Sequence, residues 1–169
     1  MRAPARRGVW RAKMPPVARD LQERASGRRL SGATPIQGGG EMAKGYKDML
    51  AEADALVHSV TPEETGPRPA ADLVLVDIRD PRELAREGMI PGAFHAPRGM
   101  LEFWIDPESP YHKPRFAEGK TYVFYCASGW RSLLAARLAQ EMGLEARSLR
   151  GGFTAWKAAG LPVETSEEA

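Results

Sequence analysis

Cys126 is the only cysteine among 169 residues, and its surroundings are those of a nucleophile. The run Tyr122-Val123-Phe124-Tyr125 is β-branched and aromatic. It stops at Cys126, and the short loop Ala127-Ser128-Gly129 follows before Leu133, Leu134, Leu138 and Met142 recur at helical spacing. Strand, tight loop and helix in that order set a sulfur beside the unpaired N–H groups of a helix start. Such a position favours thiolate over thiol. A free cysteine is more often an inert core residue. Its place at the carboxyl end of an apolar strand argues against that here, because open α/β folds gather ligands at those ends.

The elements that must position this loop are legible on either side of it. Lys44 to Val57 carries Met49, Ala53 and Leu56, with Leu50 and Val57, on one helical face. A loop with Pro62, Gly66, Pro67 and Pro69 follows. Leu73-Val74-Leu75-Val76 is apolar at every position, as in a strand buried on both faces of a parallel sheet. Asp80-Pro81-Arg82-Glu83 is a helix start with a capping Asp, Pro at the first helical position and Glu at the third, and that helix should end near Gly88. Ile90 to Pro97 reads as a turn leading into a short strand. Gly99 to Phe116 reads as a short helix and then a proline-punctuated loop. The helix after Cys126 runs to about Met142, with Gly143 as its C-cap. Ala146–Leu149 forms a strand, and Gly151-Gly152 opens a last helix through Trp156. Strands alternating with helices predict an α/β fold with a central, mostly parallel sheet flanked by helices.

Composition sets limits. The net charge of +2 divides into nine basic and three acidic residues in 1–41, and 15 basic and 19 acidic residues after it. The basic excess therefore belongs to the N-terminal segment, and nucleic-acid binding is not expected of the folded part. That segment is Arg-, Pro- and Gly-rich without periodicity, so it reads as a disordered basic tail. Three origins are open for it: an organellar transit peptide, a basic arm, or sequence upstream of a true start at Met42. Residues 42–69 read as an N-terminal helix and linker, 70–164 as the main domain and 165–169 as a tail. One cysteine makes no internal disulfide, and His58, His95 and His112 lack ligand spacing, so no metal site is expected. No stretch is apolar enough to span a membrane. A cytoplasmic location is expected, or an organellar one if residues 1–41 are a transit peptide.

Three segments, in order, resemble the rhodanese-like family. They are Val76-Asp77-Ile78-Arg79-Asp80-Pro81 running on to Gly88-Met89-Ile90-Pro91-Gly92-Ala93-Phe94-His95, the Cys126 loop, and Gly151-Gly152-Phe153-Thr154-Ala155-Trp156 with Gly160-Leu161-Pro162-Val163. The resemblance covers about residues 70–164. It implies a three-layer α/β fold and single-domain sulfurtransferase chemistry, with thiosulfate or another sulfane-sulfur compound as donor. Cys126 would carry the sulfur as a persulfide and pass it to a small thiophilic acceptor or a protein thiol, with no cofactor. Ala127, Ser128, Gly129, Trp130, Arg131 and Ser132 would then form the loop that binds the charged sulfur and the donor anion. Arg131 suits an oxyanion; the alternative uses are an exposed helix residue or a structural ion pair. Asp77, Arg79 and His95 are read as structural support, because a charge just past a buried strand needs a partner. Related phosphatases place five residues between Cys and Arg; here four intervene.

Two other classes remain open on sequence. One is a persulfide carrier served by a dedicated protein partner, with the aromatic insertion from Gly99 to Phe116 as its docking surface. The other is a non-catalytic binding module of the same fold.

Overall fold

A computed structural model describes residues 44–67 and 70–165. The basic segment 1–41 and residues 166–169 of the tail lie outside the described residues. Among the described residues, five strands form one sheet in the order β1-β5-β4-β2-β3, and every neighbouring pair is parallel. They are β1 (Ser59–Val60), β2 (Leu73–Asp77), β3 (Phe94–His95), β4 (Thr121–Tyr125) and β5 (Glu145–Leu149). The α-helices of the same residues are α1 (Tyr46–Asp54), α2 (Pro62–Thr65), α3 (Pro81–Glu87), α4 (Leu101–Ile105), α5 (Trp130–Glu141) and α6 (Gly152–Ala158). Short 3-10 turns at Arg98–Met100 and Pro114–Ala117 flank the α4 region.

Alternation along the central strands builds the three layers. Val74, Val76, Tyr122 and Phe124 share one cluster with Ala135, Ala136 and Ala139 of α5 and with Leu101, Ile105 and Phe116. Leu75, Val123 and Tyr125 point the other way, to Phe153 and Trp156 of α6 and to Ile90. Strands covered on both faces need apolar residues at consecutive positions, which is why β2 and β4 are apolar runs. Burying Phe153 alone contributes roughly 1.5–3 kcal/mol. The indole N–H of the fully buried Trp156 donates to the Pro162 carbonyl at 2.7 Å.

The expected elements formed, with two differences. The expected linker carries β1, which pairs with β5 in the register Ser59↔Ser148 and Val60↔Leu149, and the one-turn α2, capped by Thr61 and Glu64. Two residues are too few for a periodic signal, and the ladder with β5 supplies what periodicity could not. The apolar face predicted for the first helix is also only half used. Ala53 and Val57 are buried, whereas Met49 and Leu56 are exposed. The Gly99–Phe116 insertion divides between core and surface. Leu101, Ile105 and Phe116 enter the core, and Phe103 and Tyr111 stay exposed.

The strand order also fixes where a site belongs. From β2 the chain steps outward to β3, and from β4 it steps the opposite way to β5. The carboxyl ends of the adjacent strands β2 and β4 therefore flank a topological switch point. Asp77 closes β2 there, and Cys126 follows β4.

Candidate active site

Cys126 is 1% exposed and lies on the α5 side of the sheet with Tyr122 and Phe124. The Gly129 N–H donates to Sγ at 3.2 Å, and the thiol reaches Ser132 Oγ at 3.7 Å. Gly129 can do this because it adopts φ +96°, in the left-handed region. A Cβ there would also stand 3.2 Å from the Gly151 nitrogen. Trp130, Arg131 and Ser132 begin α5, so helix geometry leaves their N–H groups without intrahelical acceptors, at the rim of the same loop.

The loop is held from behind by α6. The Phe153 N–H donates to the Cys126 carbonyl at 2.8 Å, and the Thr154 N–H donates to the Ala127 carbonyl at 3.0 Å. With the carbonyls drawn backward, the N–H side of the loop is presented to the sulfur. This approach requires Gly152, where a Cβ would lie 2.4 Å from the Cys126 oxygen and 2.8 Å from that of Ala127. The Gly-Gly pair, read from sequence as a helix opening, is also the clamp on the loop.

Beneath the sulfur lies a small hydroxyl cluster. Ser132 Oγ donates to the Gly129 carbonyl at 3.0 Å and sits 3.1 Å from Ser148 Oγ. Both serines are buried. Ser148 comes from the middle of β5, and nothing in its local sequence marks it; only the register of β4 on β5 brings it under the loop.

The supporting residues form a second cluster, on the α6 side. Arg79 Nε donates to Asp77 Oδ1 at 3.0 Å, and its Nη2 donates to Asp77 Oδ2 and to the Gly88 carbonyl, each at 2.7 Å. Both side chains are fully buried. Burial opposes the Arg79 charge, but the hydrogen bond and field of Asp77 outweigh it, so the guanidinium is held more firmly protonated than usual. Its carbon lies 4.0 Å above the Phe153 ring, a cation–π contact. His95 Nε2 stands 2.9 Å from the Arg79 carbonyl. A carbonyl only accepts, so the ring carries its proton on Nε2 in this bond. Tyr125, paired in register with Asp77, accepts from the Ile90 N–H at 3.1 Å. Burial raises its phenol well above the ordinary range, so it is neutral. Asp77, Arg79 and His95 thus tie the ends of β2 and β3 together, and none has a hydrogen bond to the Cys126 sulfur.

Arg131 forms a bidentate pair across to α3. Its Nη1 and Nη2 donate to Glu83 Oε2 and Oε1, each at 2.8 Å. The Arg131 guanidinium, helped by the Asp80 N–H, holds the Glu83 carboxyl at about 2, below its usual 4.5. The same pair, with the nearby Cys126 sulfur adding to it, raises Arg131. The ion pair read as one use of Arg131 is formed here. Glu83 reads in sequence only as a capping residue, and its Oε2 does accept from the Asp80 N–H at 3.1 Å.

Trp130 turns away from the sulfur. It is 59% exposed, with its ring centroid 5.8 Å from that of Tyr46 in α1. Trp130 lines a cavity of about 370 Å³ between α1 and the loop, with Leu50, Asp54, Ser128, Ser148 and Arg150 among others. Cys126 is not part of that lining. Among the described residues no three His, Cys, Asp or Glu side chains are grouped as a metal site would need, and no helix is long and apolar enough to cross a membrane.

Comparison with known proteins agrees with this architecture. The family model described as "Rhodanese-like domain" matches residues 62–159. A sulfurtransferase of Allochromatium vinosum is 36% identical over 97 residues, covering 57% of this chain and 82% of that protein. The human thiosulfate:glutathione sulfurtransferase is 36% identical over 90 residues, covering 48% of this chain and 76% of its own. A solved structure from Rhodopseudomonas palustris, described as a protein of unknown function and possible tyrosine phosphatase, is 52% identical. It covers 74% of this chain and 98% of its own, with a TM-score of 0.71. By its fold, its cysteine loop and this match over more than half its length, the chain belongs to the rhodanese-like family.

Proposed function

We propose that the protein is a sulfurtransferase that forms a persulfide on Cys126 and hands the sulfur to a thiophilic acceptor. The observation that carries this reading is the Gly129 N–H 3.2 Å from a buried sulfur, at the start of a helix whose first amides lack intrahelical acceptors. The Cys126 thiolate bonds to the sulfane sulfur of the donor, the donor's own bond to that sulfur breaks with its electron pair leaving on the remainder, and the negative charge passes from Sγ to the outer sulfur of the persulfide. Fixed N–H dipoles aimed at that charge stabilise it without reorganising. The donor is a small sulfane-sulfur compound such as thiosulfate or a persulfide. The acceptor is cyanide in the test tube and a small thiol or protein thiolate in the cell. The reaction draws on no metal or organic cofactor.

The sulfurtransferase names of two relatives support this reading, and the phosphatase description of another opposes it. Loop size favours the former. Four residues separate Cys126 from Arg131, and both terminal nitrogens of that arginine are engaged by Glu83. A tetrahedral phosphate needs a wider ring with a free guanidinium.

The test is intact mass spectrometry after exposure to thiosulfate and, separately, to a low-molecular-weight persulfide. The native protein should gain one sulfur, about 32 Da per turnover of the half-reaction, and lose it on addition of cyanide. Cys126→Ser should gain nothing. Failure of the native protein to gain mass from either donor, with Cys126 still alkylated by iodoacetamide, would defeat the proposal. Hydrolysis of p-nitrophenyl phosphate dependent on Cys126 would decide for the phosphatase reading.

A further inference from the structure

Glu83 lies outside the cysteine loop, yet its carboxylate meets both terminal nitrogens of Arg131, the one guanidinium in that loop. It is anchored from the far side as well, because the same carboxylate closes the capping box of α3 on the Asp80 N–H. The pair joins two helices, with the Glu83 side chain 19% exposed and that of Arg131 44% exposed. A sulfane donor approaching Cys126 therefore meets a cation whose charge is already balanced.

We infer that Glu83 selects the donor, setting the site against the thiosulfate dianion and in favour of hydropersulfides, R–S–SH. The inference rests on the sulfane-sulfur chemistry proposed for Cys126 and names the donor class for it. With thiosulfate, the Cys126 thiolate bonds to the outer sulfur. The sulfur–sulfur bond of the donor breaks, and its electron pair departs on sulfite. Two negative charges must come in beside the thiolate and the Glu83 carboxylate, with a single guanidinium to offset them. With a hydropersulfide, the thiolate bonds to the terminal sulfur, the electron pair leaves on R–S⁻, and the proton stays on the transferred sulfur. The form attacked is the protonated one, which brings in no net charge, so Glu83 exerts no repulsion on it. The low pKa of Glu83, about 2, keeps it charged throughout the range in which either donor would be used.

Glu83→Gln isolates the charge, because the amide oxygen can still accept from Asp80 and from Arg131. Sulfur loading is followed by intact mass with two probes, thiosulfate and the persulfide of 2-mercaptoethanol. The rate constant for thiosulfate should rise about fivefold in Glu83→Gln, and that for the persulfide should change by less than about twofold. Added salt should shrink the thiosulfate gain by screening the repulsion that the substitution removes. Glu87→Gln deletes the same charge on the same helix, where the partners are Arg86 and Lys157, and should leave both rates unchanged. Alkylation by uncharged iodoacetamide should stay near native in both variants, which separates a charge effect from a damaged loop.

An unchanged thiosulfate rate, or equal changes with both donors, would overturn the inference while leaving persulfide formation standing. Native protein that loads from neither donor would overturn both.

Discussion

At the scale of the residue, a thiol that is 1% exposed must be activated by groups built into the fold, because water hardly reaches it. Gly129 and Ser132 supply the contacts, and their roles follow from the loop sequence. Ser148 and Glu83 could not be found that way. Each reaches the loop from another element, one through strand register and one through an ion pair between helices, and sequence spacing carries neither relation. Asp77 and Arg79 were legible because a charge pair beside an apolar strand has few other uses, and the structure buries both with four mutual or backbone hydrogen bonds from Arg79 side-chain nitrogens. Arg79→Ala leaves the Asp77 carboxylate buried without its cation. Loss of one partner of such a pair costs about 3–5 kcal/mol, which should appear as a fall in the urea midpoint with little change in slope.

At the scale of the element, α6 is short but decides the shape of the loop. Two of its first N–H groups hold the Cys126 and Ala127 carbonyls, and the contact is close enough that only glycine fits at 152. Gly152→Ala should lower stability by at least about 2 kcal/mol, from left-handed backbone strain and the clash together. It should also slow iodoacetamide labelling of Cys126 at neutral pH, measured in the fraction that stays folded by circular dichroism. A variant that labels at the native rate would show that the clamp is dispensable. The long strands and helices were readable because their periodicity spans many residues. The partial burial of α1 was not, since which apolar residues of a helix are covered depends on the neighbour it meets: Ala53 and Val57 pack inward, while Met49 joins Tyr46 among the exposed residues.

At the scale of the whole molecule, the central strands β2 and β4 have neighbours on both sides, and the sheet is completed at one edge by pairing β1 with β5. Such pairing joins residues far apart in sequence and slows folding relative to local contacts. The family match begins at residue 62, just after β1. The clamp of α6 on the cysteine loop carries this ordering into function. Synthesis runs from the N-terminus, and Cys126 leaves the ribosome about 25 residues before the helix that shapes its loop. A nascent chain that has made β4 and α5 therefore holds the cysteine loop without the α6 N–H groups that fix the Cys126 and Ala127 carbonyls. Chains halted at Arg150 and at Thr165, both still tethered to the ribosome by a long linker, should differ sharply in persulfide loading: the shorter inert, the longer competent. On the proposed function, that loading is gained only once α6 has emerged, and the growing chain is spared a live thiolate while its apolar strands are still uncovered.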